Sequence, residues 1–292
     1  MRKRIFALGF FDGVHLGHQA LIAQCVRLSR EQDAQPAAIT FQRHPQSLFT
    51  QTPPAVINTV AQREALLKQY GIEEVHVLPV TEEVMSTDWR DFLEKLMDLG
   101  AAGFVCGDDF RFGFRGEGNA QKLASFCAEQ GLAWVTVGQQ SIDGVRISST
   151  HIRRLLEAGD VEQANVFLGH PHVLSGQVVS GRQLGRTIGV PTANLRLPEE
   201  VLAPKFGVYA CRACFDGKTY PAVTNIGTRP TVGGSHITVE PWILDFSGDL
   251  YGRTILLEFH AFLRPEEKFP SLEALQKEIQ KNARQTREFF EK

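Results

Sequence analysis

Gly9-Phe10-Phe11-Asp12-Gly13-Val14-His15-Leu16-Gly17-His18 is the stretch that decides the fold of the first half of this chain. It overlaps an apolar segment at residues 5–10, typical of a buried strand, and leads into an amphipathic helix predicted at 17–30. A helix that begins here offers unpaired backbone N–H groups and the positive end of its dipole, and glycines let the backbone approach a ligand closely. The stretch therefore predicts a phosphate site.

Two histidines, His15 and His18, would supply side-chain donors to the same anion. Their bare spacing also occurs in metal pairs and among surface histidines on the first turn of a helix. A zinc site needs three or four ligands, and no cysteine or carboxylate group nearby completes one. The full stretch therefore favours phosphate handling over a metal site.

The chain has 292 residues, which suits two domains rather than one. Its formal net charge of -2 gives no general attraction to nucleic acid or to an anionic membrane, so we expect neither as a partner.

Five scattered cysteines do not make a disulfide framework. The start imitates a signal peptide, but Asp12 and His15 interrupt it, and no apolar run approaches the roughly 18 residues of a membrane helix. We expect a cytoplasmic protein, and its oligomeric state is left open.

Up to about residue 140, apolar strands alternate with helices, which indicates a parallel sheet covered on both faces. Strands are predicted at residues 5–10, 37–41, 75–78, 104–106 and 134–137, and helices at 17–30, 61–70, 89–99 and 121–130. Ligands of such sheets bind beyond the carboxyl ends of the strands. The opening stretch lies at the end of the first strand.

Further polar segments follow these strands. Residues 40–45 carry His44, and residues 107–113 carry Asp109 and Phe112. Each segment alone is compatible with a polar turn, but their shared position at one sheet edge favours a single pocket. Residues 146–153 lead into a helix predicted at 152–158. The Ser and Thr hydroxyls before that helix can cap it, bind phosphate, or do both.

After residue 170 the pattern changes to strands joined by short glycine-containing turns. The predicted strands lie at 173–179, 208–215, 220–225, 237–246 and 254–262, and a single helix is predicted at 272–289. This pattern indicates an antiparallel barrel or sandwich. We therefore expect one domain at residues 1–170 and a second at 171–292.

The second half has a glycine-rich segment of its own, at residues 181–195. Its glycines suit a loop that lays backbone N–H groups around phosphates, although a tight turn would also explain them. The glycines of this segment are Gly181, Gly185 and Gly189. Thr192 and Asn194 offer neutral oxygen ligands that suit a Mg²⁺ bound together with substrate phosphates.

Glu240 is a carboxylate on an otherwise apolar strand. Strand alternation alone would put it in solvent. If it faces the glycine-rich segment instead, it can accept a proton from an attacking hydroxyl. The residues by themselves leave both possibilities open.

Taken in order, these motifs resemble those of the bacterial bifunctional riboflavin kinase/FAD synthetases over nearly the whole chain. The matching segments are residues 15–18, 41–45, 107–113, 147–153, 189–195 and 225–231. The resemblance implies an α/β protein: a Rossmann-like nucleotidyltransferase domain with a parallel sheet, then an antiparallel β-barrel riboflavin kinase domain with a terminal helix. The implied substrates and products are riboflavin, FMN, FAD and ATP.

In the first domain, the resemblance implies that the phosphate of FMN attacks the α-phosphorus of ATP and releases pyrophosphate. His15 and His18 would stabilise charge on the α-phosphate. Asp109 and Phe112 would lie near the flavin or ATP pocket, as candidate flavin contacts. The remaining residues assigned to ATP and its phosphates are Gly9, Phe10, Gly17, His44, Ser148, Ser149, Thr150 and Arg153.

In the second domain, the ribityl 5′-hydroxyl of riboflavin would attack the γ-phosphorus of ATP. Glu240 matches the family's general base, and Thr192 and Asn194 would place Mg²⁺ and phosphate. The chain also departs from the family, because Asn282 stands where the last helix usually carries Asp.

Two other functions are weighed against this one. The barrel could be a non-catalytic flavin-binding module, leaving FAD synthesis alone, but Thr192, Asn194 and Glu240 argue against that. Class I aminoacyl-tRNA synthetases also use a His-x-Gly-His element. The near-neutral charge and the absence of lysine from residues 147–150 disfavour such a nucleic-acid-binding protein.

Overall fold

The structure is a computed structural model, which describes residues 2–180, 189–231 and 234–291. The chain divides into two compact units, Met1–Ser149 and Thr150–Lys292. None of the helices in the described ranges is both long enough and apolar enough to cross a membrane.

Five parallel strands form the main sheet in the described part of the first unit. In chain order they are β1 (Arg4–Leu8), β2 (Gln35–Phe41), β3 (Glu74–Leu78), β4 (Ala101–Gly107) and β5 (Ala133–Val137). The helices beside them are α1 (Leu16–Glu31), α2 (Val60–Gln69), α3 (Glu82–Met85), α4 (Trp89–Asp98) and α5 (Ala120–Gln130). A hairpin follows, made of β6 (Ser141–Ile142) and β7 (Val145–Arg146).

The central strand β1 is buried on both faces, because its alternate side chains enter two different cores. Ile5 and Ala7 pack in one core with residues of α1 and α2. Phe6 and Leu8 pack in the other core with residues of α4 and α5. The signal-peptide-like start is thus a buried strand, as predicted.

The order of the strands in space is β3-β2-β1-β4-β5. The chain therefore runs outward from β1 in one direction through β2 and β3, and in the other direction through β4 and β5. Such a reversal opens a crevice at the carboxyl ends of β1 and its neighbours, where ligands of open α/β sheets bind. This edge of the sheet carries residues 9–18.

A closed antiparallel barrel forms the second unit and decides between the barrel and the sandwich. Its strands are β8 (His172–Val179), β9 (Asn194–Arg196), β10 (Gly207–Phe215), β11 (Lys218–Thr231), β12 (Gly234–Ile243) and β13 (Thr254–Pro265). Around the barrel they follow the order β10-β11-β12-β9-β8-β13. The helices α6 (Ser149–Ala158) and α7 (Val161–Leu168) precede the barrel, and α8 (Leu272–Glu291) follows it.

The predicted fold class is confirmed in both halves. Strand β9, which begins at Asn194, was not predicted. Two of its three residues are polar and it forms no apolar run, so the sequence pattern missed it. Helices α3 and α7 were missed as well.

One histidine is buried inside the barrel unit without a polar partner. His172 begins β8, is 0% exposed, and lies beside Phe259 with the ring centroids 5.6 Å apart. Neither ring nitrogen has a hydrogen-bond partner among the described residues. Burial, with a smaller contribution from His170, lowers the pKa of His172 to about 3. The folded protein therefore holds this imidazole neutral.

This histidine predicts a pH-dependent stability. Between pH 3 and 6.5 the unfolded chain binds a proton at His172 that the folded chain does not, so the free energy of unfolding falls as the pH falls through this window. We expect His172→Phe to flatten the dependence by up to about 1.4 kcal/mol per pH unit. The measurement is urea unfolding of the full chain across this window, followed through hydrogen exchange of the barrel strands. His76→Phe, on β3, is the matched control, and an unchanged slope in His172→Phe would contradict the assignment.

Candidate active sites

The loop between β1 and α1 has an unusual backbone. Phe11, Gly13 and Val14 have φ angles of 57°, 83° and 40°. Positive φ is ordinary for glycine but costs free energy in a β-branched or bulky residue. Phe11 and Val14 are nevertheless 0% exposed, so packing of both side chains into the core holds the strained loop in place.

The two histidines of the opening stretch lie against each other. His15 is the N-cap of α1, and its Nδ1 accepts a hydrogen bond from the backbone N–H of His18 at 3.3 Å. The rings stack with centroids 3.6 Å apart and planes 13° from parallel. A Cβ at Gly17 would lie only 3.2 Å from the His15 ring, so glycine between the histidines permits this packing. Because Nδ1 of His15 accepts a bond, a neutral His15 carries its proton on Nε2 and can donate it to an anion.

His18 is held neutral in the folded protein. Burial, followed by the nearby charges of His15 and Arg63, keeps the pKa of His18 well below its usual value. Its Nδ1 is buried and has no hydrogen-bond partner among the described residues. At neutral pH the site therefore presents an uncharged imidazole at the start of a helix.

Asp12 ties this loop to two other segments. It is 1% exposed, and its Oδ1 accepts the backbone N–H groups of Ile57 at 2.8 Å and Asn58 at 3.2 Å. The hydroxyl of Ser149 donates to the backbone carbonyl of Asp12 at 2.9 Å. The predicted phosphate-binding residue Ser149 thus contacts the histidine loop directly. Ser148 precedes α6, Thr150 is the second residue of that helix, and Arg153 lies one turn further on.

His44 also lies at this edge of the sheet. Its ring contacts the Phe10 ring edge-on, with centroids 5.0 Å apart, and its Nδ1 accepts the backbone N–H of Gln46 at 3.2 Å. On the same Phe10 ring lies the guanidinium of Arg63, 4.3 Å from the centroid. Sequence reasoning missed the contacts of Arg63 and Asp12: an arginine within a helix carries no motif, and Asp12, although part of the opening stretch, has a partner far away in the sequence.

An apolar pocket opens beside Gly9, at the ends of β1, β2 and β4. Its walls include Ile39, Phe41, Phe110 and Phe112. Phe112 is 6% exposed and packs against Phe110 with ring centroids 5.8 Å apart. Apolar and aromatic walls of this kind are typical of small-molecule sites.

Asp109 does not line this pocket. It is exposed and forms an ion pair with Arg146, which belongs to the β6–β7 hairpin. The predicted neighbours Asp109 and Phe112 therefore have different environments. Phe112 is part of the pocket wall, and Asp109 holds the hairpin.

In the barrel, strand register brings Asn194 and Glu240 together. Leu195 lies opposite Val239, and the Ala193 N–H donates to the Pro241 carbonyl at 2.9 Å. Asn194 is the residue between Ala193 and Leu195, so it lies opposite Glu240. Because Leu195 and Val239 are buried inside the barrel, Asn194 and Glu240 share its outer face.

A third polar residue joins this row. On its other side β12 pairs with β11, where Glu240 lies opposite Asn225. Asn194, Glu240 and Asn225 are therefore neighbours on three adjacent strands, and all three are half-buried. The sequence left open which way Glu240 faces, and the register puts it beside the predicted Mg²⁺ ligand rather than alone in solvent.

Thr192 lies next to this row and lines an apolar pocket together with Ile243, Phe246 and Tyr251. Gly189 has φ 70°, a left-handed conformation that favours glycine. The other two glycines of the predicted phosphate loop, Gly181 and Gly185, lie outside the described residues. Among the described residues no cluster of three or more His, Cys, Asp and Glu side chains is arranged to hold a metal ion.

Two protein families match the chain, one for each half. The FAD synthetase family model matches residues 1–151. The riboflavin kinase family model matches residues 168–290. The two matches follow each other in the order that the motifs predicted.

Full-length relatives carry both names together. A bifunctional riboflavin kinase/FMN adenylyltransferase of Listeria monocytogenes is 35% identical over 99% of this chain and 93% of its own length. One from Pseudomonas fluorescens is 36% identical over 95% of this chain and 90% of its own length. The resemblance inferred from the motifs is thereby confirmed.

A solved structure from Streptococcus pneumoniae has the same fold. It aligns with a TM-score of 0.89 and 30% sequence identity over 98% of this chain and 94% of that one. That protein is named as a macrolide-efflux protein. Its name differs from those of the relatives, so we take from it the fold alone.

Asp12 gives a prediction for this loop. Asp12→Ala leaves the N–H groups of Ile57 and Asn58 without their buried acceptor, so we expect the first unit to lose about 1–3 kcal/mol of unfolding free energy. The measurement is denaturant unfolding, with hydrogen exchange of β1 and α1 as the probe. Asp98→Ala removes an exposed carboxylate from α4 and should change stability by less than about 0.5 kcal/mol. Equal effects of the two substitutions would contradict the role of Asp12.

Proposed function

The chain belongs to the family of bifunctional riboflavin kinase/FMN adenylyltransferases, and we propose that it catalyses both reactions of that name. The barrel transfers the γ-phosphoryl group of ATP to the ribityl 5′-hydroxyl of riboflavin, giving FMN and ADP. The first domain joins FMN to the adenylyl group of a second ATP, giving FAD and pyrophosphate. The observation that carries the proposal is that each unit has its own polar cluster and its own family match.

In adenylyl transfer, an oxygen of the FMN phosphate attacks the α-phosphorus of ATP and the bond to pyrophosphate breaks. The residues need to hold two phosphates in line and stabilise the negative charge that develops on them. His15 can donate from Nε2, and the N-terminus of α1 adds backbone N–H groups and its dipole. We assign to this site His15 and His18, with Gly9, Phe10 and Gly17 as close backbone.

Additional phosphate contacts come from the segments beside the loop. His44 contacts the ring of Phe10, the residue that leads into the histidine loop. The Ser149 hydroxyl donates a hydrogen bond to the Asp12 carbonyl in that loop. We assign the remaining ATP phosphate contacts to Ser148, Thr150 and Arg153, which flank Ser149. The apolar pocket with Phe112 suits the flavin ring, and Asp109 would act at its edge through Arg146.

In phosphoryl transfer, Glu240 accepts the proton of the ribityl hydroxyl while that oxygen attacks the γ-phosphorus and ADP leaves. The position of Glu240 beside Asn194 supports this role, since base and phosphate ligand need to reach the same reacting atoms. The apolar pocket beside Thr192 suits the adenine base of ATP. Gly181, Gly185 and Gly189 are proposed to line the phosphates with backbone N–H groups.

The donors present fit Mg²⁺ that arrives with ATP. A threonine hydroxyl and an asparagine carbonyl, Thr192 and Asn194, are hard neutral oxygens, which suit an ion that keeps most of its water and phosphate ligands. Bound Mg²⁺ neutralises charge on the phosphate oxygens.

We further propose that the functional boundary lies near residue 170, because the two family matches leave residues 152–167 between them.

The test of the whole proposal is product analysis with riboflavin as the only flavin supplied, together with ATP and Mg²⁺. FMN should appear first and FAD after it. Formation of FAD from supplied FMN, without any FMN from riboflavin, would instead favour a non-catalytic barrel. Production of neither flavin would refute the proposal.

The first domain gives a division-of-labour prediction. His18→Ala removes a ring from the adenylyl site and should lower FAD formation from FMN by at least about 10²-fold. FMN formation from riboflavin should be unchanged, because the barrel carries its own cluster. His76→Ala, a partly buried histidine elsewhere in the same sheet, is the matched control and should keep both activities. Loss of both activities in His18→Ala would show that the division is wrong.

The barrel gives the complementary prediction. Glu240→Gln keeps the shape of the side chain but cannot accept a proton, so FMN formation should fall by about 10²–10⁴-fold. FAD formation from supplied FMN should remain at the wild-type rate. Glu258→Gln changes another half-buried barrel carboxylate, which pairs with His260, and should retain kinase activity. Unchanged FMN formation in Glu240→Gln would refute its assignment as the base.

A further inference from the structure

A charged side chain is buried beneath the adenylyl site. Arg63 lies on α2, is 1% exposed, and is among the largest fully buried side chains of the described residues. Burial lowers the pKa of Arg63, yet an arginine in a protein stays charged. Burying such a charge is costly unless its hydrogen bonds are satisfied. The neighbouring Leu66 and Leu67 show that this face of α2 can be filled by apolar residues instead.

The guanidinium spans the ends of two neighbouring strands. Its Nη1 donates to the backbone carbonyl of Phe10 at 2.8 Å and to the hydroxyl of Thr40 at 3.1 Å. Its Nη2 donates to the carbonyl of Phe41 at 2.9 Å. The Thr40 hydroxyl in turn donates to the Phe10 carbonyl at 2.8 Å.

Both anchored carbonyls stand immediately before segments that carry histidines. Phe10 precedes the strained loop that leads to His15 and His18. Phe41 ends β2, and His44 follows three residues later. The Phe10 ring contacts both groups: the guanidinium carbon lies 4.3 Å from its centroid, and the His44 ring centroid lies 5.0 Å from it. Arg63 therefore contacts the backbone at the start of each segment and the Phe10 ring that His44 also contacts.

We propose that Arg63 is a positioning residue for adenylyl transfer, which holds the His15/His18 loop and His44 at one fixed separation around the reacting phosphates. The inference rests on the proposed function of the first domain. Arg63 touches no phosphate in this account and acts through the backbone of Phe10 and Phe41. Its positive charge also contributes to the low pKa of His18.

The geometry excludes lysine as an equivalent. A planar guanidinium donates in several fixed directions at once, whereas a single ammonium on a flexible stem is a point charge. A lysine ammonium at this position lacks the rigid fork geometry that sets the distance between the two carbonyls. Arg63→Lys therefore keeps a nitrogen donor at this position and removes the fixed spacing.

The experiment compares Arg63→Lys with Arg27→Lys in the full chain. Arg27 is an exposed arginine on α1 that pairs with Glu31, and its variant should behave as wild type. In Arg63→Lys we expect kcat for FAD formation from FMN to fall by about 10²-fold, since small misplacements of reacting groups have effects of that size. KM for FMN and ATP should change much less than kcat, and riboflavin phosphorylation should be unchanged. A wild-type kcat per folded molecule, whatever the loss of thermal stability, would overturn the proposal.

A second pair of variants decides the matter if Arg63→Lys does not fold. Thr40→Val removes the hydroxyl that links Arg63 to Phe10 with almost no change of shape, and Thr40→Ser retains it. We expect lowered kcat for FAD formation in Thr40→Val and near-normal kcat in Thr40→Ser. Equal activity of the two would overturn the proposal. Wild-type enzyme that makes no FAD, or His18→Ala that keeps making it, would instead refute the proposed function on which this inference rests.

Discussion

The turn that leaves the central strand β1 is the constraint on which the first domain depends. Residues 11–14 pass through three positive φ angles, two of them in non-glycine residues, so this loop does not hold its shape by itself. Buried contacts hold it from both sides: Phe11 and Val14 pack in the core, and the Asp12 carboxylate accepts two backbone N–H groups. The result is a helix N-terminus with two stacked histidines. It lies at the sheet edge beside β1, where the order of strand addition reverses.

Much of the fold was predictable because its elements are long and their patterns regular. The five strands and the larger helices of the first domain follow from apolar runs and helical periodicity, and the change to strands after residue 170 follows from turn spacing. Strand β9 was not predictable, since its three residues form no apolar run. The sequence does not show strand register either: Asn194 lies opposite Glu240 because of pairing between residues 46 positions apart.

The residues of the candidate sites also differ in whether the sequence alone could identify them. Residues that belong to a motif, such as His15, His18 and Thr192, could be named from sequence because their types and spacing carry a chemical meaning. The roles of Arg63 and Asp12 could not, because each acts through a tertiary contact: Arg63 reaches the ends of two strands, and Asp12 reaches the segment before α2. Direct ligands are thus visible in the sequence, while the residues that support them are visible only in the fold.

The two polar clusters lie in separate compact units, each with its own hydrophobic packing, which is the central claim of this account: two independent active sites in one chain. The most direct test mixes two variants, His18→Ala and Glu240→Gln, with riboflavin, ATP and Mg²⁺. Each variant alone should fail to make FAD from riboflavin, and the mixture should make it, because FMN released by the intact barrel of one can be used by the intact first domain of the other. A mixture that forms FMN but no FAD, while Glu240→Gln still converts supplied FMN, would contradict independent sites.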